Sequence, residues 1–546
     1  MGYKEKASRD QIMLLPDSID DYVTDDNPVR VIDAFVDSLN MVKLDFTKSK
    51  PADTGCPAYD PCDMLKLYIY GYYNRIRSSR KLMVECGRNV EVMWLMGKLQ
   101  PDFRTISDFR KENTKSLREV FREFVRLCDK LKLYNKELLA VDGTKVRAQN
   151  SNDKCFNVDA LNRKLANIDE HISEYLRTME KTDELEKDES LTSEQVKAAL
   201  SELMARKTKY EGYLSELMET EKTQILETDP EARRMHSKNG FHCCYNVQTA
   251  VDSGSHLIVE YDVTNQNTDQ GLLNQICTQA KETLGIETVE AVADKGYESR
   301  EDILNCLMNG TVPNVCLKYD KDERMYNLDY ESLDNAEKLK GSTKPEDIEK
   351  CLRAGVLPDC YEGTAVSVEV QELSTISCFI RNDNDTVTCP MGATLNKTKT
   401  KGVNTVYASK DACRQCKHRC TSSTSHKTVS FGPDATHVAV RMYGSPRYTF
   451  NELPKGFVFH NAFYRKDWDK KKVVIRIRED KAKQRERMCT VEHPFGTIKW
   501  YHGAHYLLCR GKEKVTGEIG LSFLAYNLRR AITLVGVPKL IAAARG

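Results

Sequence analysis

Three acidic residues stand where a carboxylate could do more than keep a surface wet. Leu138-Leu139-Ala140-Val141-Asp142-Gly143-Thr144 is a short apolar run, typical of a buried strand, that stops at a carboxylate and a glycine. Val289-Glu290-Ala291-Val292-Ala293-Asp294-Lys295-Gly296-Tyr297 repeats the pattern. Open sheets bind ligands at the carboxyl ends of their strands, so both acids are well placed for chemistry. Glu492 lies within Val491–Lys499, an otherwise apolar and basic segment. If the three converge, they form a cage of hard oxygen ligands suited to Mg²⁺ or Mn²⁺. Such a cage can hold two ions, one activating a water or a 3′-hydroxyl and the other stabilising the leaving oxygen. Taken singly, each acid reads more simply as a turn cap or a surface charge.

A second constellation is made of sulfur. The chain has 19 cysteines, mostly scattered singly, as expected of free thiols in a reducing cytosol. The exception is Cys413-x2-Cys416-x3-Cys420, with Cys389 in a Cys-Pro-Met-Gly turn upstream. Four thiolates could close a structural, tetrahedral Zn²⁺ site, with His418 able to replace one; plain reduced cysteines are the competing reading. Residues 370–430 are rich in Ser, Thr, Lys and Asn, and a metal would supply order that a poor apolar core could not.

Charge and hydropathy narrow the function classes. The 82 Lys+Arg balance 81 Asp+Glu, so net charge is silent about nucleic acid. Between Arg465 and Lys499, however, twelve basic residues face six acids, which fits a polyanionic substrate around Glu492. No run of about 18 apolar residues is present, so no transmembrane helix is expected. The polar start and the short Ile12–Leu15 run do not make a signal peptide, so a cytoplasmic protein is expected.

The elements that must position these groups can be read in chain order. Asn27-Pro28 and Asp60-Pro61 each join a capping side chain to proline at a first helical position. Apolar residues at helical spacing follow both, and residues 61–128 continue as short helices. Thr105-Ile106-Ser107-Asp108 fits a capping box with Asp for Glu, opening a helix that carries Arg110, Lys111, Lys115 and Arg118. A basic helix after a tight turn suits a helix-turn-helix on DNA; a solvated helix face is the plainer alternative.

Residues 159–231 are acidic, and Leu161, Leu165, Ile168, Ile172 and Leu176 keep a coiled-coil-like spacing, as do Val196 to Leu217. This predicts two long helices folded back as a hairpin, facing away from any polyanion. From Gly240 to Asp262 the period becomes two, with a turn at Asp252-Ser253-Gly254, so a β-hairpin is expected. A helix over Asp269–Leu284 leads into the Asp294 strand, giving a mixed α/β core. The expected division is a helical region over 1–130, a core over 131–310 with the inserted hairpin, a Cys-bearing insertion over 311–465, and a closing part over 466–546. Gly517–Leu534 closes it as an amphipathic helix.

Together these motifs resemble a known family. Asp142-Gly143-Thr144, Asn246-Val247-Gln248 with Asp252, Asp294-Lys295-Gly296-Tyr297, and Glu492-His493-Pro494-Phe495-Gly496-Thr497-Ile498-Lys499 are similar to motifs of the DDE transposases of bacterial insertion sequences. So are Tyr70-Gly71-Tyr72, Arg77-Ser78-Ser79-Arg80 and Leu524-Ala525-Tyr526-Asn527-Leu528-Arg529-Arg530. The resemblance implies a ribonuclease-H-like core, a helical amino-terminal DNA-binding region, Mg²⁺ or Mn²⁺, and Asp142, Asp294 and Glu492 as catalytic ligands. It implies cleavage at terminal inverted repeats and strand transfer into target DNA, by a homodimer in the DNA complex.

Within this family a Tyr, Arg, Glu, Lys signature often marks the last catalytic helix. Glu492 and Lys499 keep its spacing, about two turns apart on one face, so Lys499 could hold a phosphate. Met488 stands where the arginine is expected, and Arg485 or Arg487 could substitute. Pro494 should kink this helix. Expected DNA contacts are Lys295, Tyr297, Arg485, Arg487, Lys499, Arg110 and Lys111, with core packing an equal reading for Tyr297. Two rivals remain: a nuclease without strand transfer, and a non-enzymatic DNA-binding descendant, against which the presence of all three acids argues.

Overall fold

The computed structural model describes residues 18–50, 57–184, 193–237, 240–316, 323–334, 336–372, 375–416, 420–421, 423, 425–440, 448–449, 457–458 and 471–546. The first helices begin where the caps predict. Asn27 accepts from the Val29 amide at 2.9 Å and opens Pro28–Asp37. Asp60 accepts from the Cys62 amide at 2.8 Å and opens Pro61–Tyr73. The Thr105 start is a correction. Asp102 caps the helix Phe103–Glu112, with Thr105 donating its hydroxyl to Asp102 at 2.9 Å, and a new helix, Thr114–Lys130, begins after Asn113. A carboxylate at the N-cap accepts two amides, which outweighs a hydroxyl one turn later.

One compact unit comprises residues 1–306, 313–316 and 480–546. Its sheet is built from β1 (Leu138–Arg147), β2 (Arg233–Ser237), β3 (Gly240–Asp252), β4 (Ile258–Thr264), β5 (Val289–Ala293) and β6 (Thr311–Val315). The order is β2–β3–β1–β5–β6, and β4 shares with β2 one edge of the long β3. β3 runs antiparallel to β1, with Val141 opposite Ala250, while β5 runs parallel to it, with Val141 opposite Ala293. This is the expected mixed α/β core, with the predicted hairpin as β3–β4. The helix after it spans Leu273–Leu284 and ends at Gly285, whose left-handed φ of 63° glycine adopts without strain.

Two helices pack this sheet into place. Lys481–Gly496 lays Val491 on Leu138, Ala140 and Val292. Lys512–Val535 packs on Thr114–Lys130 and Pro61–Tyr73, and its Asn527 bonds both the amide and the carbonyl of Ile258. The buried Arg77 donates to Glu518 at 2.6 Å, tying the early helices to this closing helix. The acidic hairpin is present as Val158–Glu184 and Ser193–Glu219. Its base is anchored by Leu161 and Leu217 around Phe156. Farther out, Leu176 and Met204 are exposed, so the apolar spacing is used only near the core.

A second compact unit comprises residues 307–312 and 317–479. Within it an antiparallel sheet runs through Thr375–Arg381, Val387–Thr388, Thr394–Lys401, Asn404–Ala408 and Thr428–Phe431. Phe379, Val387, Leu395, Tyr407, Val429, Phe431 and Val438 form a buried cluster. This corrects the expectation that the segment cannot bury a core. Alternating strands concentrate few apolar residues on one face, which composition alone does not reveal.

Candidate active site

β1 and β5 are in parallel register, Val141 beside Ala293, so the residues that follow, Asp142 and Asp294, lie side by side. β5 stops before Asp294 as expected, but β1 does not stop at Asp142, because its pairing with β3 carries it on to Arg147. Asp294 caps its own turn: its Oδ1 accepts from the Gly296 amide at 2.7 Å, opening a short 3-10 turn over Lys295–Tyr297. Asp142 accepts from the Gly143 amide at 2.8 Å. Burial pushes the Asp142 carboxyl up to about 6; Arg487 opposes this, and the nearby Asp294 and Asp269 add to it.

Asp269 is the residue that sequence reasoning missed. It lies in the loop between β4 and the following helix, and it accepts from Asn246 and Gln248, each at 2.7 Å, with Lys145 at 3.4 Å. Its carboxylate approaches the glycines that follow both acids. A methyl group built on Gly143 would lie 2.4 Å from Gln248 Nε2 and 2.6 Å from Asp269 Oδ1, and one on Gly296 would lie 2.8 Å from Asp294 Oδ1 and 3.7 Å from Asp269 Oδ2. That approach explains the glycine after Asp142. The sequence held a partial signal: Asn246 and Gln248 alternate on one face of β3, so both amides seek one partner.

The third expected acid is on the covering helix. Gln484 donates to the carbonyls of Ala293 and Asn314, Arg487 reaches Asp142, and Val491 enters the core, so these three mark the inner face. Glu492 follows Val491 by one residue, about 100° around the helix, and is exposed. Among the described residues no group of three His, Cys, Asp or Glu side chains is placed to hold a metal ion. Asp142 and Asp294 lie on neighbouring strands, with Asp269 close by and Glu492 on the helix above. The donor set still suits a hard divalent cation: crowded carboxylate oxygens carry more negative charge than Arg487 alone offsets.

A model described as a transposase domain (DUF772) matches residues 17–112, and two described as transposase DDE domains match residues 205–374 and 459–532. The chain belongs to the DDE transposases. No curated protein and no solved structure matches it. The matched DDE segments carry Asp294 and Glu492, while Asp142 lies upstream of both. The transposase acts in DNA transposition and recombination, and DNA is its partner. Among the described residues, no helix is long and apolar enough to cross a membrane.

The basic and aromatic groups of the transposase divide sharply. Lys295, Lys111 and Arg485 are exposed. Arg487 is half-buried and lies 3.7 Å from Asp142, so of the two arginines named to replace the one absent at Met488, it is the one at the acid. Lys499 donates to the Lys145 carbonyl at 3.0 Å, beside the end of the catalytic strand. Two expected DNA contacts are corrected. Arg110 is buried, donating to the Tyr72 hydroxyl at 3.0 Å and stacking over Tyr68. Tyr297 is fully buried, its hydroxyl bonded to Gln248, so core packing is its role. Arg118 is likewise internal, bonded to the Tyr261 carbonyl and Gln279 and pairing with Glu260. Helical spacing places a charge on a face, but neighbouring elements decide whether that face meets solvent.

The aromatic surface near the site lies elsewhere. After Pro494 the helix runs on to Gly496 and loosens into a π turn over Thr497–Tyr501, where His502 bonds back to Thr497. The turn carries Trp500, 75 % exposed, and Tyr506 follows, 45 % exposed. Arg77 holds this loop from inside through the Gly503 and Tyr506 carbonyls.

Proposed function

We propose that this transposase cleaves DNA at the ends of its own element and joins them to target DNA, in a metal-dependent reaction on a ribonuclease-H-like core. The observation that carries the reading is that Asp142 and Asp294 lie side by side on adjacent parallel strands, beneath a helix bearing Arg487 and Glu492. The sheet order, with an antiparallel hairpin on one side of β1 and parallel β5 on the other, supports the fold.

Asp142 and Asp294 would hold the divalent cation, with Glu492 turned in from its helix when DNA arrives. The cation supplies Lewis-acid activation of the attacking oxygen and neutralises charge on the phosphate. Arg487 keeps Asp142 ionised and meets a phosphate oxygen. Lys499 and the exposed Lys295 hold the flanking backbone, and Trp500 offers a base a stacking face in place of Tyr297. Lys111 and Arg485 are peripheral phosphate contacts, and residues 1–130 contribute to recognition of the inverted repeat. An element has two ends, so a homodimer would present one site to each.

The test is cleavage of a labelled element end in Mg²⁺ or Mn²⁺, followed by capture of the strand-transfer product. Asp142→Asn, Asp294→Asn and Glu492→Gln should each abolish cleavage while end binding persists. Robust cleavage by any of them would overturn the assignment of that acid. Cleavage without joined product would favour a nuclease.

A further inference from the structure

Within the second unit, Cys389, Cys413, Cys416 and Cys420 line one cavity of about 480 Å³, together with Pro390, Met391 and Lys427. Nothing in the sequence spacing requires Cys389 to meet the other three. It comes from the turn after Val387–Thr388, whereas Cys413 sits on the short helix Lys410–Arg414 and the other two follow it. None of the four is joined in a disulfide. Cys389 and Cys420 also pack on the unit's apolar core, which fixes one wall of the cavity.

We infer that these four cysteines form a structural zinc site that pins the loop after Cys413 to the Cys389 turn. The turn is built for a metal-binding sulfur. The Cys389 amide bonds the Ala393 carbonyl at 2.8 Å and the Gly392 amide bonds the Cys389 carbonyl at 2.9 Å. The Ala393 amide then points at Cys389 Sγ, at 3.3 Å. An N–H aimed at sulfur favours the thiolate and orients it, the role that outer hydrogen bonds play around metal ligands. Gly392 makes the turn possible, with φ at 80°. Four thiolates around Zn²⁺ leave two net negative charges, and Lys427 on the cavity wall offsets part of that.

Among the described residues the sulfurs are not yet gathered around one point, so binding requires their side chains to turn inward. His418, the alternative ligand, lies outside the described residues. Because a core is already present, the role of zinc is not to create the fold but to join Cys413, Cys416 and Cys420 to the Cys389 turn. On binding, each S–H proton passes to solvent as its sulfur bonds the ion, so uptake releases protons and weakens in acid.

The experiment uses the full chain purified without chelator. About one zinc per chain is expected by elemental analysis, and Co²⁺ exchange should give sulfur-to-cobalt charge transfer with tetrahedral absorption. The Cys413→Ser/Cys416→Ser double variant should lose both signals, while Cys62→Ser, in the other unit, keeps them. Native protein that lacks zinc and shows no cobalt–thiolate absorption on reconstitution would overturn the site, whatever the fate of the variant. So would full zinc retention by the double variant.

Discussion

Arg487 Nη1 lies 3.7 Å from Asp142 Oδ2, where the covering helix faces β1. The sequence spacing pointed one residue further on, to Met488, but that side chain is exposed. A helix rotates about 100° per residue, so only one of these neighbours can face the strand. Arg487→Ala is expected to lower end cleavage by about 10²–10³-fold, the scale of losing one electrostatic donor at a reacting centre. Arg485→Ala should change little, and Met488→Arg should not restore Arg487→Ala. Single-turnover cleavage rates decide it; a native rate for Arg487→Ala would refute the pairing's role.

Asp142 titrates in a window that stability measurements can reach. Its folded value is raised, to about 6, so the folded state prefers the protonated form. The favourable contribution is complete below the ordinary unfolded value and is lost as pH rises through about 6. Asn mimics the neutral form. Without divalent cations, Asp142→Asn should therefore unfold at higher temperature than the native chain at pH 8. The gap, on the order of 2 kcal/mol, should narrow as pH falls and close near pH 4. A gap independent of pH would place the cause elsewhere.

Asp269 is expected to act by positioning. It fixes the amides of Asn246 and Gln248 and approaches the glycines that follow Asp142 and Asp294. Asp269→Asn should weaken the Mn²⁺ dependence of cleavage by about 10- to 100-fold, as for other outer partners of metal ligands. High Mn²⁺ should rescue it, which a purely structural role would not allow. Gly143→Ala should mimic the defect, because its methyl would push on both Gln248 Nε2 and Asp269 Oδ1, the two atoms that bond each other there.

Arg110 and Lys111 adjoin in sequence but should fail differently. Arg110→Ala leaves a buried pocket without its hydrogen bond to Tyr72 and should cost about 1.5–3 kcal/mol in denaturant unfolding. Lys111→Ala should leave stability within about 0.5 kcal/mol and act, if at all, on DNA affinity and its salt dependence. Unchanged stability in Arg110→Ala would show the burial to be incidental.

Asp142 and Asp294 were legible because two local signals coincide in them. An apolar run specifies a buried strand, and a carboxylate specifies where the apolar run stops; β5 ends there, but β1 runs on past Asp142 to Arg147 because β3 keeps pairing with it. The β3–β4 hairpin and the acidic helical hairpin were legible for the same reason, since period two and heptad spacing are local properties of a chain. What sequence could not supply was facing. Arg110, Arg118 and Tyr297 look like surface groups until other elements cover them. Asp269 looks like an ordinary loop residue until β3 turns Asn246 and Gln248 toward it. Met488 and Arg487 differ by one step of a helix, and only packing of Val491 into the core chooses between them. The four cysteines share a cavity only because the turn at Cys389 and the helix at Cys413 are brought together by strands that pair across the unit. Local chemistry was written in the residues; which groups meet was decided by long-range pairing and burial, which no window along the chain contains.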